Sequence, residues 1–168
     1  SVFRSFGSEV TVLEYFNDIL PRFDSDLSKR LKQSLGKRGI EINTQAQVTG
    51  ITIDDSSVYK VSYTCKGKEE TVEADRVLMA VGRKANVDSL NLADAGIEFT
   101  PRGIVVDDRT MQTNVPHIYA IGDINGKMML AHAATFQGIV ALDHIMGIEN
   151  NIDLSVMPAA VFTTPEAA

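Results

Sequence analysis

The sequence predicts an α/β protein that combines a parallel sheet with an inserted antiparallel meander. Short apolar runs that end at polar or glycine residues, with an amphipathic helix between the first two, predict the parallel part. Three alternating segments between residues 47 and 75, separated by polar turns, predict the meander. The 168 residues are 44% hydrophobic and carry a net charge of −6. These totals suit a globular protein of one or two domains.

Charge and composition exclude several classes of partner. An acidic balance without a basic tract argues against nucleic acid. No run is long and apolar enough to span a bilayer, and no signal peptide is recognisable, so we expect no membrane partner. Cys65 is the only cysteine, so no internal disulfide can form and Cys65 is expected to be incidental. A reducing, cytoplasmic setting fits this usage.

The first 44 residues predict a strand, a helix and a second parallel strand. Residues 1–7 are typical of the end of a helix that stops at a glycine. Glu9–Glu14 is rich in β-branched residues and predicts a strand. Asp24–Gly39 predicts a helix, because it begins with acidic residues, carries a leucine stripe and ends with basic residues before glycine. Ile40–Ile42 predicts the next parallel strand.

Glu14 is a candidate for binding a dinucleotide. In nucleotide-binding βαβ units, an acidic residue at the end of the second strand bonds the adenosine ribose, about 20 residues after a glycine-rich phosphate loop. That distance falls upstream of Ser1, so we expect this chain to be an internal piece of a longer protein. A carboxylate here would repel a 2′-phosphate, which favours NAD over NADP. The alternative is an exposed charge at a strand end.

The middle of the chain predicts the meander and one more buried strand. The meander strands are expected near Val48–Ile53, Val58–Thr64 and Thr71–Ala74. Arg76–Gly82 is a continuous apolar run, as expected for a strand that is buried on both faces of a parallel sheet. The pattern breaks after Arg83, where we expect the chain to cross into another domain.

The second half predicts a ligand site at the end of a strand. Leu90–Ala95 predicts a short helix, and Ile97–Asp107 predicts strand pieces around a turn. Ile118–Ile121 predicts a buried strand that ends at Gly122-Asp123. A helix is then expected from about Leu130 to Met146. Its predicted core stripe consists of Ile139, Leu142, Ile145 and Met146.

The region around Asp123 has two readings. Open α/β sheets bind ligands where a strand ends and a helix begins, and Asp123 stands at such a place. A lone Gly-Asp pair is, however, most commonly a turn. The complete order of strand, Gly122-Asp123, loop and Leu130-Ala131-His132 resembles the second flavin-binding segment of the pyridine nucleotide–disulfide oxidoreductases, most closely the dihydrolipoamide dehydrogenases among them.

Other motifs carry the same resemblance over nearly the whole chain. Glu14, Gly82-Arg83 and Thr164-Pro165-Glu166 occur in the order in which the family has them. The resemblance implies a fragment of a flavoprotein with two dinucleotide-binding domains, each with a Rossmann-like parallel sheet, the meander being inserted in the NAD domain. It implies residues 1–83 as the C-terminal part of the NAD-binding domain, 84–150 as the second segment of the FAD-binding domain, and 151–168 as a linker and the start of a dimer-interface domain.

The resemblance also implies roles for individual residues. Asp123 would hydrogen-bond a ribityl hydroxyl of FAD, and Gly122, having no side chain, would let the cofactor approach the backbone. Met129, Leu130, Ala131 and His132 would lie at the isoalloxazine ring, where the positive end of a helix favours negative charge. On the NAD side, Val48 would lie near the adenine and Gly82 beside the nicotinamide half.

The implied parent enzyme passes electrons between NAD(H), FAD and a disulfide or dithiol substrate of lipoyl type. The family's redox-active cysteine pair, its first flavin-binding glycine loop and its His–Glu acid/base pair are absent from this chain. No catalytic residue can therefore be named, and we expect the isolated chain to be inactive. The resemblance implies a homodimeric parent and allows membership of a 2-oxoacid dehydrogenase complex.

Other assignments remain open at this point. Mercuric reductases, coenzyme A disulfide reductases and other NADH-dependent reductases of the family share the features described. Glutathione reductase is disfavoured, because an NADPH enzyme is expected to carry basic residues around Glu14. A non-catalytic α/β interaction module that has kept the fold without its cofactors is the alternative from a different class.

Overall fold

The computed structural model describes all 168 residues, which form two compact units. The first unit comprises residues 1–79 and 159–168, and the second comprises residues 80–158. Each unit has its own hydrophobic core. The division into cofactor-binding domains at residues 83 and 150 remains a prediction. No helix has the length and apolar character that crossing a membrane requires.

The first unit begins with the predicted βαβ arrangement. A short helix α1, Val2–Ser5, precedes strand β1, Val10–Glu14, and helix α2, Ser25–Lys37, leads to strand β2, Ile40–Thr44. The two strands are parallel and in register throughout. These elements confirm the predicted strand, helix and parallel strand.

Helix α2 begins as its sequence predicts. The Asp24 carboxylate accepts the N–H of Asp26 at 2.8 Å, which satisfies one of the free donors of the first turn. Leu31 and Leu35 bury the apolar stripe against Ile40 of β2 and Ala167 near the chain end. The core of the first unit therefore lies between α2 and the two-stranded sheet.

The meander follows β2 directly and confirms the prediction. Strands β3, Ala46–Ile53, β4, Tyr59–Cys65, and β5, Lys68–Ala74, pair antiparallel in chain order. A register shift lies between Val48 and Gly50. The hairpin turn between β4 and β5 places Lys66 and Gly67 at positive φ, which glycine adopts without strain.

The predicted strand at Arg76–Gly82 is wrong, because this segment forms no strand. Its side chains are instead exposed, Leu78 by 74% and Val81 by 87%. A strand that is buried on both faces needs hydrogen-bonded neighbours at its edges. The parallel sheet contains only β1 and β2. The apolar composition of Arg76–Gly82 is therefore not sufficient to make this segment a strand.

The second unit surrounds a small core with short elements. Strands β6, Phe99–Thr100, and β7, Gly103–Ile104, form a hairpin, which confirms the predicted strand pieces and turn. Turns replace the helix predicted at Leu90–Ala95, so that prediction is wrong. The backbone carbonyl of Asn91 accepts hydrogen bonds from the N–H groups of Asp94 and Ala95, but these bonds do not extend into a regular helix. The core residues are Leu92, Ile97, Ile104, Val106, Met111, Ala120 and Ala141.

The segment Ile118–Ile121 is extended but is not a full strand. It makes one isolated bridge, between Gln112 and Tyr119, and Ala120 donates its N–H to the carbonyl of Met111. Ala120 is buried, whereas Ile121 is 43% exposed. The prediction of a regular, fully buried strand is therefore wrong. The segment pairs with the chain around Met111 and Gln112 on one of its edges only.

Helix α3, Ala131–Met146, has the predicted length but buries another face. Its buried residues are Ala133, Gln137, Val140 and Ala141. The predicted core stripe is exposed by 41% at Ile139, 58% at Leu142, 59% at Ile145 and 65% at Met146. Because α3 is apolar on two faces, periodicity alone could not decide which of them packs within this unit.

The chain end forms an isolated antiparallel bridge between Val161 and Ala167. Ala167 packs into the core of the first unit. One 3-10 turn, Leu154–Val156, precedes this segment. The assignment of residues 151–168 to a linker and the start of a dimer-interface domain remains a prediction.

Candidate cofactor-binding site

Asp123 lies in a 3-10 turn, Gly122–Asn125, that follows the extended segment directly. Its side chain is 43% exposed, and Oδ2 lies 3.5 Å from Nη2 of Arg83. Arg83 is 77% exposed, so water screens this ion pair strongly. The carboxylate is therefore not buried, and only a solvent-screened ion pair holds it, so a ligand hydroxyl can reach it.

Two buried amide side chains hold the turn from behind. Oε1 of Gln137 accepts the N–H of Gly122 at 2.7 Å and Nδ2–H of Asn125 at 2.9 Å. Nδ2 of Asn125 also donates to the carbonyl of Ala120 at 3.0 Å. The two amides join the turn to helix α3 and to the extended segment. We call Asn125 and Gln137 the amide clamp.

Glycines allow the backbone to pack closely around the turn. Gly122 has φ +75°, and a Cβ added there would lie 3.3 Å from Cβ of Ala134 on α3. A Cβ on Gly126 would collide with the carbonyl of Arg102 in the β6–β7 hairpin, and one on Gly103 with the backbone of the turn. The hairpin therefore supports the Asp123 turn by direct backbone contact.

The start of α3 presents the other predicted flavin residues. Leu130 is the N-cap and makes no side-chain capping bond, so no side chain satisfies the first N–H groups of the helix. Met129 and Leu130 are half-buried, and Ala131 and His132 are exposed. Nε2 of His132 lies 2.8 Å from the carbonyl of Pro158. The helix end can thus offer backbone N–H groups and a partial positive charge to a ligand.

Gly82 precedes Arg83 in an exposed extended segment and has φ +97°. A side chain at this position would be strained, since L residues other than glycine rarely adopt such a φ. The contact between Arg83 and Asp123 shows that this segment lies beside the turn. Gly82-Arg83 and Gly122-Asp123, which are far apart in the sequence, are therefore neighbours in the second unit.

Glu14 lies in the first unit at the carboxyl end of β1. Its Oε1 accepts the N–H of Phe16 at 2.9 Å, which orients the half-buried carboxylate. Val48 lies on β3 opposite Tyr63 and is 44% exposed. Both residues are accessible to a ligand at this end of the unit.

An open cavity of about 460 Å³ lies in the first unit, lined from Tyr15 onward, the residue that follows Glu14 in the chain. Tyr15 and Phe16 form one wall, with their rings in an edge-to-face contact at 5.6 Å. The other lining residues are Asn17, Gln45, Gln47, Thr64, Lys66 and Gly67. Aromatic faces beside amide groups suit a planar heterocycle that carries hydrogen-bonding edges.

The ionisable side chains of the chain do not form a metal site, and their shifted pKa values belong mainly to turns. No three His, Cys, Asp or Glu residues cluster in a way that could hold a metal ion. The lowered pKa values belong to aspartates that close turns, such as Asp107, whose carboxylate accepts the N–H of Arg109 and bonds from Thr110. Cys65 is half-buried beside the carbonyl of Thr44 and has no second thiol.

Comparison with known proteins identifies the family. Residues 1–138 match the model of the pyridine nucleotide-disulphide oxidoreductases. The chain belongs to this family. The resemblance that the sequence motifs predicted is therefore confirmed over most of the chain.

Several relatives of this chain are dihydrolipoyl dehydrogenases. The chain is 42% identical over 168 residues to that of Staphylococcus aureus and 43% identical over 169 residues to that of Bacillus subtilis. All of this chain and 36% of each relative are covered. The chain thus spans about a third of the length of these relatives.

Solved structures of the family share the fold. LpdA from Mycobacterium tuberculosis matches with a TM-score of 0.83 and 32% identity, over 98% of this chain and 35% of that one. The HOCl-induced flavoprotein disulfide reductase RclA from Escherichia coli matches with a TM-score of 0.77 and 29% identity, over 98% and 37%. The predicted α/β fold class of a two-domain flavoprotein is confirmed.

Sequence reasoning missed the residues that support Asp123. Arg83 was noted only as the neighbour of Gly82, and the amide clamp was not anticipated. The signal for Gln137 was weak, although a glutamine on a largely apolar helix is unusual when it is buried. Nothing in the sequence links it to Asn125, because the two lie on different elements, twelve residues apart.

Proposed function

We propose that this chain is part of an FAD-dependent enzyme that passes electrons between NAD(H) and a disulfide or dithiol substrate, most similar to dihydrolipoamide dehydrogenase. Family membership and the full coverage of the chain at 42–43% identity by dihydrolipoyl dehydrogenases support this proposal. The structural observation that carries it is the accessible Asp123 turn in front of the uncapped start of α3.

The residues of the second unit fit one half of a flavin site. Asp123 would accept a hydrogen bond from a ribityl hydroxyl of FAD, in place of or alongside its contact with Arg83. Gly122 would let the cofactor approach the backbone. Met129, Leu130, Ala131 and His132 would lie at the ring, where the helix end stabilises negative charge. When bound, FAD would supply the two-electron redox chemistry, and these residues bind and orient it.

The residues of the first unit fit the adenosine half of NAD. Glu14 would accept hydrogen bonds from the ribose hydroxyls, with its carboxylate already oriented by the N–H of Phe16. Val48 would lie near the adenine; its neighbour in the chain, Gln47, lines the same cavity as Tyr15 and Phe16. Gly82 would lie at the nicotinamide half. FAD and NAD are the cofactors of this family, which supports both assignments.

The remaining parts of the proposal concern the whole protein. A lipoyl-type dithiol is the proposed substrate, and a homodimer in the cytoplasm, associated with a 2-oxoacid dehydrogenase complex, is the proposed state. A second candidate is another NADH-dependent disulfide reductase of the family. The structural match to a flavoprotein disulfide reductase at 29% identity favours keeping that alternative.

The experiment that tests the flavin site replaces Asp123 by alanine in the intact protein. We expect the dissociation constant of FAD to rise about ten- to a hundredfold, because a hydrogen bond to a charged group contributes about 1.5–3 kcal/mol. Flavin fluorescence during titration of the apoprotein measures the constant.

Asp108→Ala is the matched control for this test. Asp108 is an exposed aspartate of the same unit that pairs with Lys127. Its replacement should leave FAD affinity unchanged. Equal FAD dissociation constants for wild type and Asp123→Ala would contradict the proposed role of Asp123.

A further inference from the structure

The amide clamp is an unusual feature of the face that α3 buries. The other buried residues of this face, Ala133, Val140 and Ala141, are apolar, whereas Gln137 is polar and only 3% exposed. A buried amide costs free energy unless its groups are hydrogen-bonded. Oε1 of Gln137 meets this condition by accepting two hydrogen bonds, both from the Asp123 turn.

The hydrogen-bond partners of residue 137 determine whether it must be a donor or an acceptor. Both of its partners, the N–H of Gly122 and Nδ2–H of Asn125, are donors. Residue 137 must therefore be an acceptor. A leucine there would pack well against the apolar face but would leave the N–H of Gly122 buried without a partner.

The bonds of the clamp lie on both sides of Asp123. Gly122 precedes Asp123, Asn125 follows it by two residues, and both are tied to the same oxygen of Gln137. Gln137 belongs to the helix whose first turn carries Leu130, Ala131 and His132. A single side chain thus holds the Asp123 turn and the start of α3 in one fixed arrangement.

We propose that Gln137 is a positioning residue for FAD, which acts by fixing Asp123 relative to the start of α3. This inference rests on the proposed flavin site and adds a residue that does not itself touch the cofactor. Without the clamp, the turn can rotate, and the Asp123 carboxylate loses its alignment with the ribityl hydroxyl. Preorganisation of this kind is lost when a supporting hydrogen bond is removed.

The test uses Gln137→Leu, Gln137→Glu and Val140→Ala in the intact protein. We expect Gln137→Leu to raise the FAD dissociation constant about tenfold, which corresponds to about 1.4 kcal/mol. Gln137→Glu should stay within about twofold of wild type, because its carboxylate accepts the same two bonds. Val140→Ala, one turn further along the same buried face, should lower the melting temperature of the apoprotein and leave FAD affinity unchanged.

A double variant separates positioning from general stability. In the Asp123→Ala background, Gln137→Leu should cause little further loss of FAD affinity, since no carboxylate remains to be positioned. If Gln137→Leu does not fold, Asn125→Ala must still weaken FAD binding more than Val140→Ala does.

Two distinct results would overturn the claims. The role of Gln137 alone would be overturned if Gln137→Leu left FAD affinity unchanged. It would also be overturned if Gln137→Leu weakened FAD binding equally in the wild-type and Asp123→Ala backgrounds. FAD affinity that is unchanged in Asp123→Ala would overturn the proposed flavin site itself.

Discussion

Glu14 is the residue at which charge should decide between two nicotinamide cofactors. Its carboxylate stands at the carboxyl end of β1 and is oriented by the N–H of Phe16. Replacing Glu14 by alanine in the intact protein should raise the KM for NADH about tenfold and reduce discrimination against NADPH, because a charged hydrogen-bond acceptor is lost and the repulsion of a 2′-phosphate disappears. Steady-state kinetics with both cofactors measures the change.

Glu41→Ala supplies a matched control, since Glu41 is an exposed carboxylate on the neighbouring strand β2. This variant should keep the wild-type ratio of kcat/KM for NADH and NADPH. An unchanged ratio in Glu14→Ala would remove Glu14 from the cofactor site.

Single residues also show what sequence could and could not predict about the site. Glu14 and Asp123 could be proposed as site residues because each stands at the end of an apolar run, a position that the local pattern shows. Arg83 and Gln137 were not assigned to the site, because their contacts with the Asp123 turn depend on how separate elements pack. Pattern within one element contains no information about such contacts.

At the scale of elements, the meander supplies a test of stability against pH. Tyr63 on β4 is 5% exposed, and its hydroxyl donates to Glu70 on β5 at 2.9 Å. Burial, followed by this bond and the charge of Glu70, raises the pKa of Tyr63 from 10.0 to about 12. The folded chain therefore keeps the Tyr63 proton in a pH range where the unfolded chain has lost it.

Because this pKa is raised, the stabilising contribution of Tyr63 to the free energy of unfolding should decrease as pH rises from 10 to about 12. Its contribution is complete below pH 10 and is lost through the folded-state pKa. Chemical denaturation at several pH values should show a shallower decline for Tyr63→Phe than for wild type. A wild-type slope for Tyr63→Phe would contradict the prediction.

The elements also differ in how well sequence predicted them. Helix α2 and the meander were predicted well, because capping, hydrophobic periodicity and turn residues are local signals. Arg76–Gly82 and Ile118–Ile121 were predicted as strands from apolar composition, but strands also need partners. Helix α3 was found, while its buried face was misassigned, since both of its faces are apolar.

For the whole molecule, the proposed site residues are divided between the two compact units. The first unit carries Glu14 and Val48, and the second carries Gly82, Asp123 and the start of α3. The family assignment covers residues 1–138, which include residues of both units. Sequence predicted the family because its motifs occur in order along the chain, although no single motif is decisive.

The measurement that tests the central claim most directly is the uptake and reduction of flavin by the intact protein. We expect the apoprotein to bind FAD in proportion to its chains, and the visible absorbance of the bound flavin to decrease when NADH is added. A protein that purifies without colour, and that shows no flavin absorbance after incubation with FAD and desalting, would contradict the account and favour a non-catalytic interaction module.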